Sequence, residues 1–279
     1  MSLINTFIVC NSLEILLHMS KYLNIPTIFF YICTSVLAQT EKAPFSSDRF
    51  YQLPLPELMP GRQFQIESGF LFEKDTPTNE GQKIYLNSVN HNTSLIRYGL
   101  SDMIEIRLGA GFILQQTEEG EVLQESNGIT NMLISSKIFM TREAGIIPQG
   151  ALLLDLYIPV GNRNTASGHL KPDVTFVTGY MPVNWLHLLS NVGMRFFDND
   201  NQVFHYGIAA GFYVIPKIAV FIEPFGKIPV GQKAEHSISF GMMYRIMKDL
   251  QLDTSYGLGL NDPAVDQFFN IGVCLRFPE

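Results

Sequence analysis

The sequence predicts an all-β protein, a transmembrane antiparallel up-and-down β-barrel of about 12 strands behind an N-terminal signal peptide. Three observations predict it. Past residue 60 nearly every segment alternates apolar and non-apolar residues with a strict period of two. The non-apolar side combines charges with many glycines, and the connections alternate between long and short. The alternation is plainest at the C-terminus, where Phe269, Ile271, Val273, Leu275 and Phe277 oppose Phe268, Asn270, Gly272, Cys274 and Arg276. Just before it, Leu250, Leu252, Thr254 and Tyr256 oppose Gln251, Asp253, Ser255 and Gly257.

In chain order, the first element is a targeting segment. From Met19 the text carries one Lys, an apolar run from Ile25 to Leu37, and Val36 and Ala38 at the −3 and −1 places of a small-residue cleavage site before Gln39. Residues 1–38 therefore read as a secretory signal peptide, with Met19 an alternative start because Glu14 makes residues 1–18 an untypical leader. A transmembrane anchor is disfavoured, since the run falls short of the ~20 apolar residues that span hydrocarbon and holds Pro26 near its start. Residues 39–62 form a Pro-rich periplasmic segment, including FSSDRFYQLPLPELMPG, that precedes the first strand and can fold into a barrel as a plug. The barrel itself is expected over residues 63–279.

Alternating segments fall at roughly 63–73, 92–99, 103–114, 130–140, 150–158, 172–180, 188–196, 203–214, 218–226, 236–245, 250–257 and 267–277. Between them stand turn signals such as Gly99-Leu-Ser-Asp102, Pro182-Val-Asn184, Asp198-Asn-Asp-Asn201 and Pro216-Lys217. Their lengths match the ~9–11 residues that a tilted strand needs to cross a bilayer. Connections after the first, third and fifth segments are long and polar (DTPTNEGQKIYLNSVNH, QQTEEGEVLQESNG and VGNRNTASGHLK), whereas those after the second and eighth are short. Long loops on one side and short turns on the other, with an even strand number, place both termini in the periplasm of an outer-membrane barrel.

Which medium lies on the apolar side is decided by the other side. It collects Glu67, Arg97, Glu105, Arg107, Lys137, Asp155, Asp173, Arg195, Glu223, Arg245, Asp253 and Arg276, six acids against six bases. It also collects Gly69, Gly109, Gly111, Gly179, Gly193, Gly207, Gly211, Gly241, Gly257 and Gly272, with Ser135, Ser237 and Ser239. Glycine weakens a solvated strand without packing reward. A crowded concave lumen with paired charges explains both features, and the Phe, Leu, Ile, Val, Met and Tyr on the opposite face suit lipid.

Composition narrows the function classes. At 46% hydrophobic and 16% charged the chain is too apolar for disorder. A net charge of −7 and a pI near 5.4 argue against a nucleic-acid partner. Cys10, Cys33 and Cys274 build no disulfide framework, and no His/Cys spacing suggests zinc.

The strings SLIRYGLSDMIEIRLGAGF (94–112), GALLLDLYIPVG (150–161), QLDTSYGLGL and NIGVCLRF resemble the outer-membrane "transporter" family of Gram-negative bacteria grouped under the MetA pathway of phenol degradation. The resemblance covers nearly the whole mature chain, and its motifs are barrel motifs. It implies a passive channel in the outer membrane for small compounds, hydrophobic or aromatic ones included.

The residues themselves point to no chemistry. His91, His169, His187, His205 and His236 are scattered over loops and separate strands without metal-ligand spacing. GLGL at 257–260 is a turn rather than a dinucleotide fingerprint, and neither GxSxG nor a P-loop occurs. No cofactor, metal or catalytic residue is expected. A lipid-modifying enzyme needs an outward nucleophile and base within hydrogen-bond reach, and the outward Ser190 and His236 sit on non-neighbouring segments. A structural or loop-presenting barrel remains the third alternative. Expected partners are outer-membrane lipid, an unidentified small solute and the barrel assembly machinery reading the C-terminal strand. Twelve strands enclose a narrow lumen, so the inward charges serve either as a solute filter or as a structural network.

Overall fold

The computed structural model describes residues 46–49, 52–79, 82–162, 165–166, 168–197 and 202–277. The signal-peptide reading of residues 1–38, with Cys10, Cys33 and the Gln39 start, lies outside them. The strands are β1 (Phe64–Asp75), β2 (Thr78–Asn79), β3 (Gln82–Ser101), β4 (Ile104–Glu119), β5 (Val122–Ile129), β6 (Asn131–Thr141) and β7 (Gln149–Pro159). They continue with β8 (Lys171–Val183), β9 (Leu186–Phe196), β10 (Gln202–Ile215), β11 (Ile218–Pro229), β12 (Glu235–Met247), β13 (Leu250–Gly259) and β14 (Gln267–Phe277). All strand pairings are antiparallel, each crossing pairs with the next one along the chain, and β1 closes the sheet on β14.

Twelve strands cross, as the sequence predicts, although fourteen are distinguished. β2 is a two-residue extension paired with the start of β3. β5 and β6 are one crossing interrupted at Thr130: β4 pairs with β5 over Phe112–Glu119 and with β6 over Ile104–Gly109. Thr130 N–H still donates to Gly111 O at 2.9 Å, so the ladder runs through the break.

This corrects two of the expected long loops. The stretches after the first and third segments are mostly strand, because β1 pairs with β3 out to Asp75↔Leu86 and β4 with β5 out to Glu119↔Val122. Gly120, at φ 62°, makes the tight connection in the second hairpin. Polar residues on both faces concealed these strands, since a hairpin standing clear of hydrocarbon has no apolar side to alternate.

The two faces are inverted relative to a water-soluble domain. The outward side leaves Phe70 46%, Leu108 48% and Ile208 60% exposed, whereas Arg97, Lys137, Glu67, Glu105 and Glu223 are each 0% exposed. Charged side chains are almost never fully buried unless paired, and a continuous apolar exterior is tolerated only against hydrocarbon. Hydroxyls that do face outward are satisfied within the sheet: Thr178 Oγ1 lies 2.7 Å from Ser190 Oγ, and Thr254 Oγ1 donates to Asn270 O at 3.0 Å. At the seam, Phe277 stacks on Phe64 with centroids 4.4 Å apart, directly across the β1–β14 pairing.

Candidate functional site

The site is assembled where residues 46–49 and 52–60 meet the inward face of the strands. This segment is not regular structure, so its backbone groups need other partners once buried. Pro54, Pro56 and Pro60 remove three donors at the outset. Strand carboxylates accept from several of the remaining amides: Glu223 takes Gln52 N–H and Leu53 N–H, both at 2.8 Å, and Glu105 takes Met59 N–H at 2.8 Å. Leu55 N–H donates to Asp48 within the segment at 3.0 Å.

Two kinds of wall receive it. On β1, β3, β4 and β6 the wall is ionic. Arg97 binds Glu105 in bidentate fashion (Nε to Oε1 2.7 Å, Nη2 to Oε2 2.9 Å), reaches Glu67 at 3.0 Å, and donates to Glu57 O at 3.1 Å. Asp48 enters this network as the segment's own anion, with Oδ2 2.7 Å from Arg107 Nη2 and 2.9 Å from Lys137 Nζ, and Oδ1 3.7 Å from Arg97 Nη1. Lys137 also donates to Leu55 O at 2.8 Å and Glu57 O at 3.2 Å. Burial alone drives the Asp48 carboxyl upward, but Arg97, Lys137 and Arg107 together outweigh it and hold the group well below the usual carboxylate range.

From β7 to β12 the wall is largely apolar. Leu53 and Leu55 pack in a buried cluster with Leu189, Ala209, Ala219, Phe221 and Met243, and Leu58 packs with Ala151, Leu153 and Val177. The sequence reading assigned the inward face to charges and small residues, and this apolar patch was missed. Inward Leu and Val in a barrel look like outward ones until the chain supplies something apolar to cover them.

Glycines set the clearance. Gly69 and Gly272 face one another across β1 and β14, and any side chain at either would collide with the Arg49 guanidinium lying over them. Arg49 Nη2 also donates to Asn270 Oδ1 at 2.9 Å. At Gly99 the Pro60 carbonyl occupies the place a Cβ would take.

Beyond the segment lies an open cavity of about 560 Å³ whose floor includes Asp48, Arg49, Gln52, Leu53 and Arg107. Its wall carries a second, looser ionic group. Asp173 accepts from Arg195 Nε at 2.8 Å and from Thr175 Oγ1 at 2.9 Å, and lies 3.0 Å from His205 Nε2. The Arg195 guanidinium sits over the Tyr157 ring, 4.6 Å from its centroid.

All twelve charges singled out from the sequence lie on the side away from the exposed apolar face, but they do not form one group. Glu67, Arg97, Glu105, Arg107 and Lys137 gather at the floor, and Asp173 and Arg195 stand higher, where Asp155 bonds Ser135. Glu223 holds the segment's backbone and has Ser239 as its other partner, at 2.9 Å. Arg276 donates to Gln65 at 2.9 Å, Asp253 flanks Gly272 beside Arg49, and Arg245 is half-buried on β12. Missed from the sequence were Asp48, Arg49, Gln65, Tyr157 and Asn270. None of these carried a signal, because the inward acids and bases balance at six each in the sequence, and the local excess of Arg97, Arg107 and Lys137 over Glu67 and Glu105 arises only when the sheet closes.

The histidines stay dispersed. His187 lies 3.6 Å from Glu57, His205 serves Asp173, and His236 Nδ1 meets Tyr206 Oη at 2.6 Å. Among the described residues no group of His, Cys, Asp and Glu is placed to hold a metal ion. Ser190 and His236 are on β9 and β12, with β10 and β11 between them, and each has another partner.

A closed twelve-crossing barrel with an apolar exterior and a charged interior defines an outer-membrane β-barrel of the Gram-negative type. Residues 47–277 match the family described as "Putative MetA-pathway of phenol degradation", and the chain belongs to that family. No curated protein sequence matches it significantly. Among solved structures it is similar to an outer-membrane channel from Pseudomonas putida F1, with TM-score 0.59 and 12% identity over 86% of this chain and 100% of that one. It is also similar to the translocator domain of the autotransporter NalP from Neisseria meningitidis, with TM-score 0.54 and 11% identity over 78% of this chain and 89% of that one. At these identities the likeness is one of fold.

Proposed function

We propose that the protein is a narrow outer-membrane channel for passive movement of small compounds, closed in the observed state by residues 46–60. The carrying observation is a cavity of about 560 Å³ lined jointly by the strands and by Asp48, Arg49, Gln52, Leu53 and Pro54 of the segment. A barrel whose own residues filled its lumen would have no space for a solute and no removable floor. The mixed lining supports solutes with both an apolar body and a polar end: Leu95, Leu133, Leu153 and Phe268 share the cavity with Arg107, Arg195 and Asn270. The channel from Pseudomonas putida F1 supports the reading as a precedent for this fold. The domain plan that goes with it is a signal peptide over 1–38, a plug over 39–62 and a barrel over 63–279, with recognition of the C-terminal strand by the assembly machinery.

Solute flux through proteoliposomes tests the reading. The full mature chain should pass small solutes slowly, and a chain lacking residues 40–60 should pass them faster, both being checked for a folded barrel by heat-modifiable migration. If both match empty vesicles, the protein is no channel and a structural barrel takes its place.

A further inference from the structure

We infer that the position held by the Asp48 carboxylate is a binding site for the carboxylate of a small organic acid, with Asp48 as a built-in occupant that the solute replaces. As a statement about what the channel carries, this rests on the reading above; as a statement about binding, it stands on the site alone.

The geometry is that of a carboxylate receptor. One oxygen of Asp48 meets a guanidinium at 2.7 Å and an ammonium at 2.9 Å, and the other meets the same ammonium at 3.1 Å and a backbone N–H at 3.0 Å. Arg107 and Lys137 come from the wall, on β4 and β6, so they remain when the segment moves. Glu67 and Glu105 are already engaged by Arg97. Withdrawing Asp48 therefore leaves three cations facing two anions around the vacated position, an excess of positive charge that attracts an entering anion.

The approach is open from the cavity side, because Asp48 and Arg107 both line the cavity. Arg195, with its side chain 34% exposed, stands on the route above them. Leu133, Leu153 and Tyr157 lie on β6 and β7 next to the site and offer an apolar bed for the rest of the molecule. The acids along the route do not fill the anion position: Asp155 bonds Ser135, Asp173 bonds Arg195 and Thr175, and Glu73 bonds Ser88 and Asn90. Arg49 would leave with Asp48, but it lies at the β1–β14 side, beside Asp253. Its departure removes no cation from the Arg107–Lys137 position.

Benzoate and its neutral counterpart benzamide are suitable probes, matched in size and differing in charge. In Asp48→Asn, refolded in detergent, benzoate should raise the melting temperature in a saturable way and benzamide should not. In the unaltered protein, benzoate should speed hydrogen exchange at the Gln52, Leu53 and Met59 amides, since it competes with the segment. Adding Lys137→Met to Asp48→Asn should abolish the benzoate response. Equal responses to benzoate and benzamide in both measurements would overturn the inference, and the exchange measurement decides alone if Asp48→Asn does not fold. In proteoliposomes, benzoate flux should exceed benzamide flux several-fold. Absence of all flux with the binding responses intact would reject the channel and leave the site standing; benzamide passing as fast as benzoate, without a binding response, would reject the site and leave the channel.

Discussion

The floor of the barrel and the well above it use the same ingredients to different effect. Both pair inward acids with inward bases on neighbouring strands, yet Arg97, Glu67 and Glu105 at the floor are 0% exposed, while the Arg195 side chain in the well is 34% exposed. The difference is the presence of residues 46–49 and 52–60, which dehydrate the lower group and add Asp48 and several carbonyls to it. Dehydrated ions depend on every partner being in place; solvated ones lose little when a partner is removed. The lumen charges therefore divide into ions that hold a segment and ions that line the open cavity.

Substitutions separate the two regions, beginning with the most severe. Arg97→Met strips Glu67 and Glu105 of their buried partner and should cost about 3–5 kcal/mol in refolding from urea into vesicles. A loss no greater than that at Arg195 would mean that the floor is wet.

The outside of the same strand provides the next test. Ile106 is 39% exposed toward lipid and its neighbour Arg107 faces inward. Ile106→Arg should cost ~2–4 kcal/mol near the midplane, and equal tolerance of Arg and Ile at 106 in vesicle refolding would show the two faces to be exchanged.

Glu223 links the floor to the segment's backbone. In Glu223→Gln one carboxylate oxygen becomes a donor facing Gln52 or Leu53 N–H, at a cost of about 1–3 kcal/mol. The segment should loosen more than the barrel. Limited proteolysis near residue 52 should quicken while the heat-modifiable migration of the barrel is kept.

In the well, Asp173 is itself buried, at 2% exposed, but keeps Thr175 and His205 as partners, so Arg195→Gln should cost about 1–3 kcal/mol, less than Arg97→Met. A larger loss in urea refolding would remove the contrast between the regions.

The smallest expected effect is pH dependence of closure. Asp48 has a lowered value in the folded state, so its contribution is complete above its ordinary carboxylate value of 3.8 and is lost as pH falls from there through the folded-state value. The share of closure that Asp48 carries, read as the extra leakage that Asp48→Asn causes over the wild type, should be constant from about pH 8 to about pH 5 and fall away only below about pH 4. A share already lost near pH 6 would assign that hold on the segment to another group.

The sequence by itself determined the barrel. A period of two that keeps Ile104, Ile106 and Leu108 on one side and Glu105, Arg107 and Gly109 on the other is a local property, readable without knowing what each strand touches. It also determined the number of crossings. It did not determine the outer ends of β3 and β4 or the strand β5, where polar residues stand on both faces and no alternation shows. Nor did it determine which inward charges would gather, since Asp48 and Lys137 are 89 residues apart and meet only when the sheet closes and the segment lies across it. Parity follows from one strand's own geometry, whereas the floor, its apolar patch and its anion position are properties of the closed lumen, decided by which residues a circle of strands and one returning segment bring within a few ångströms of each other.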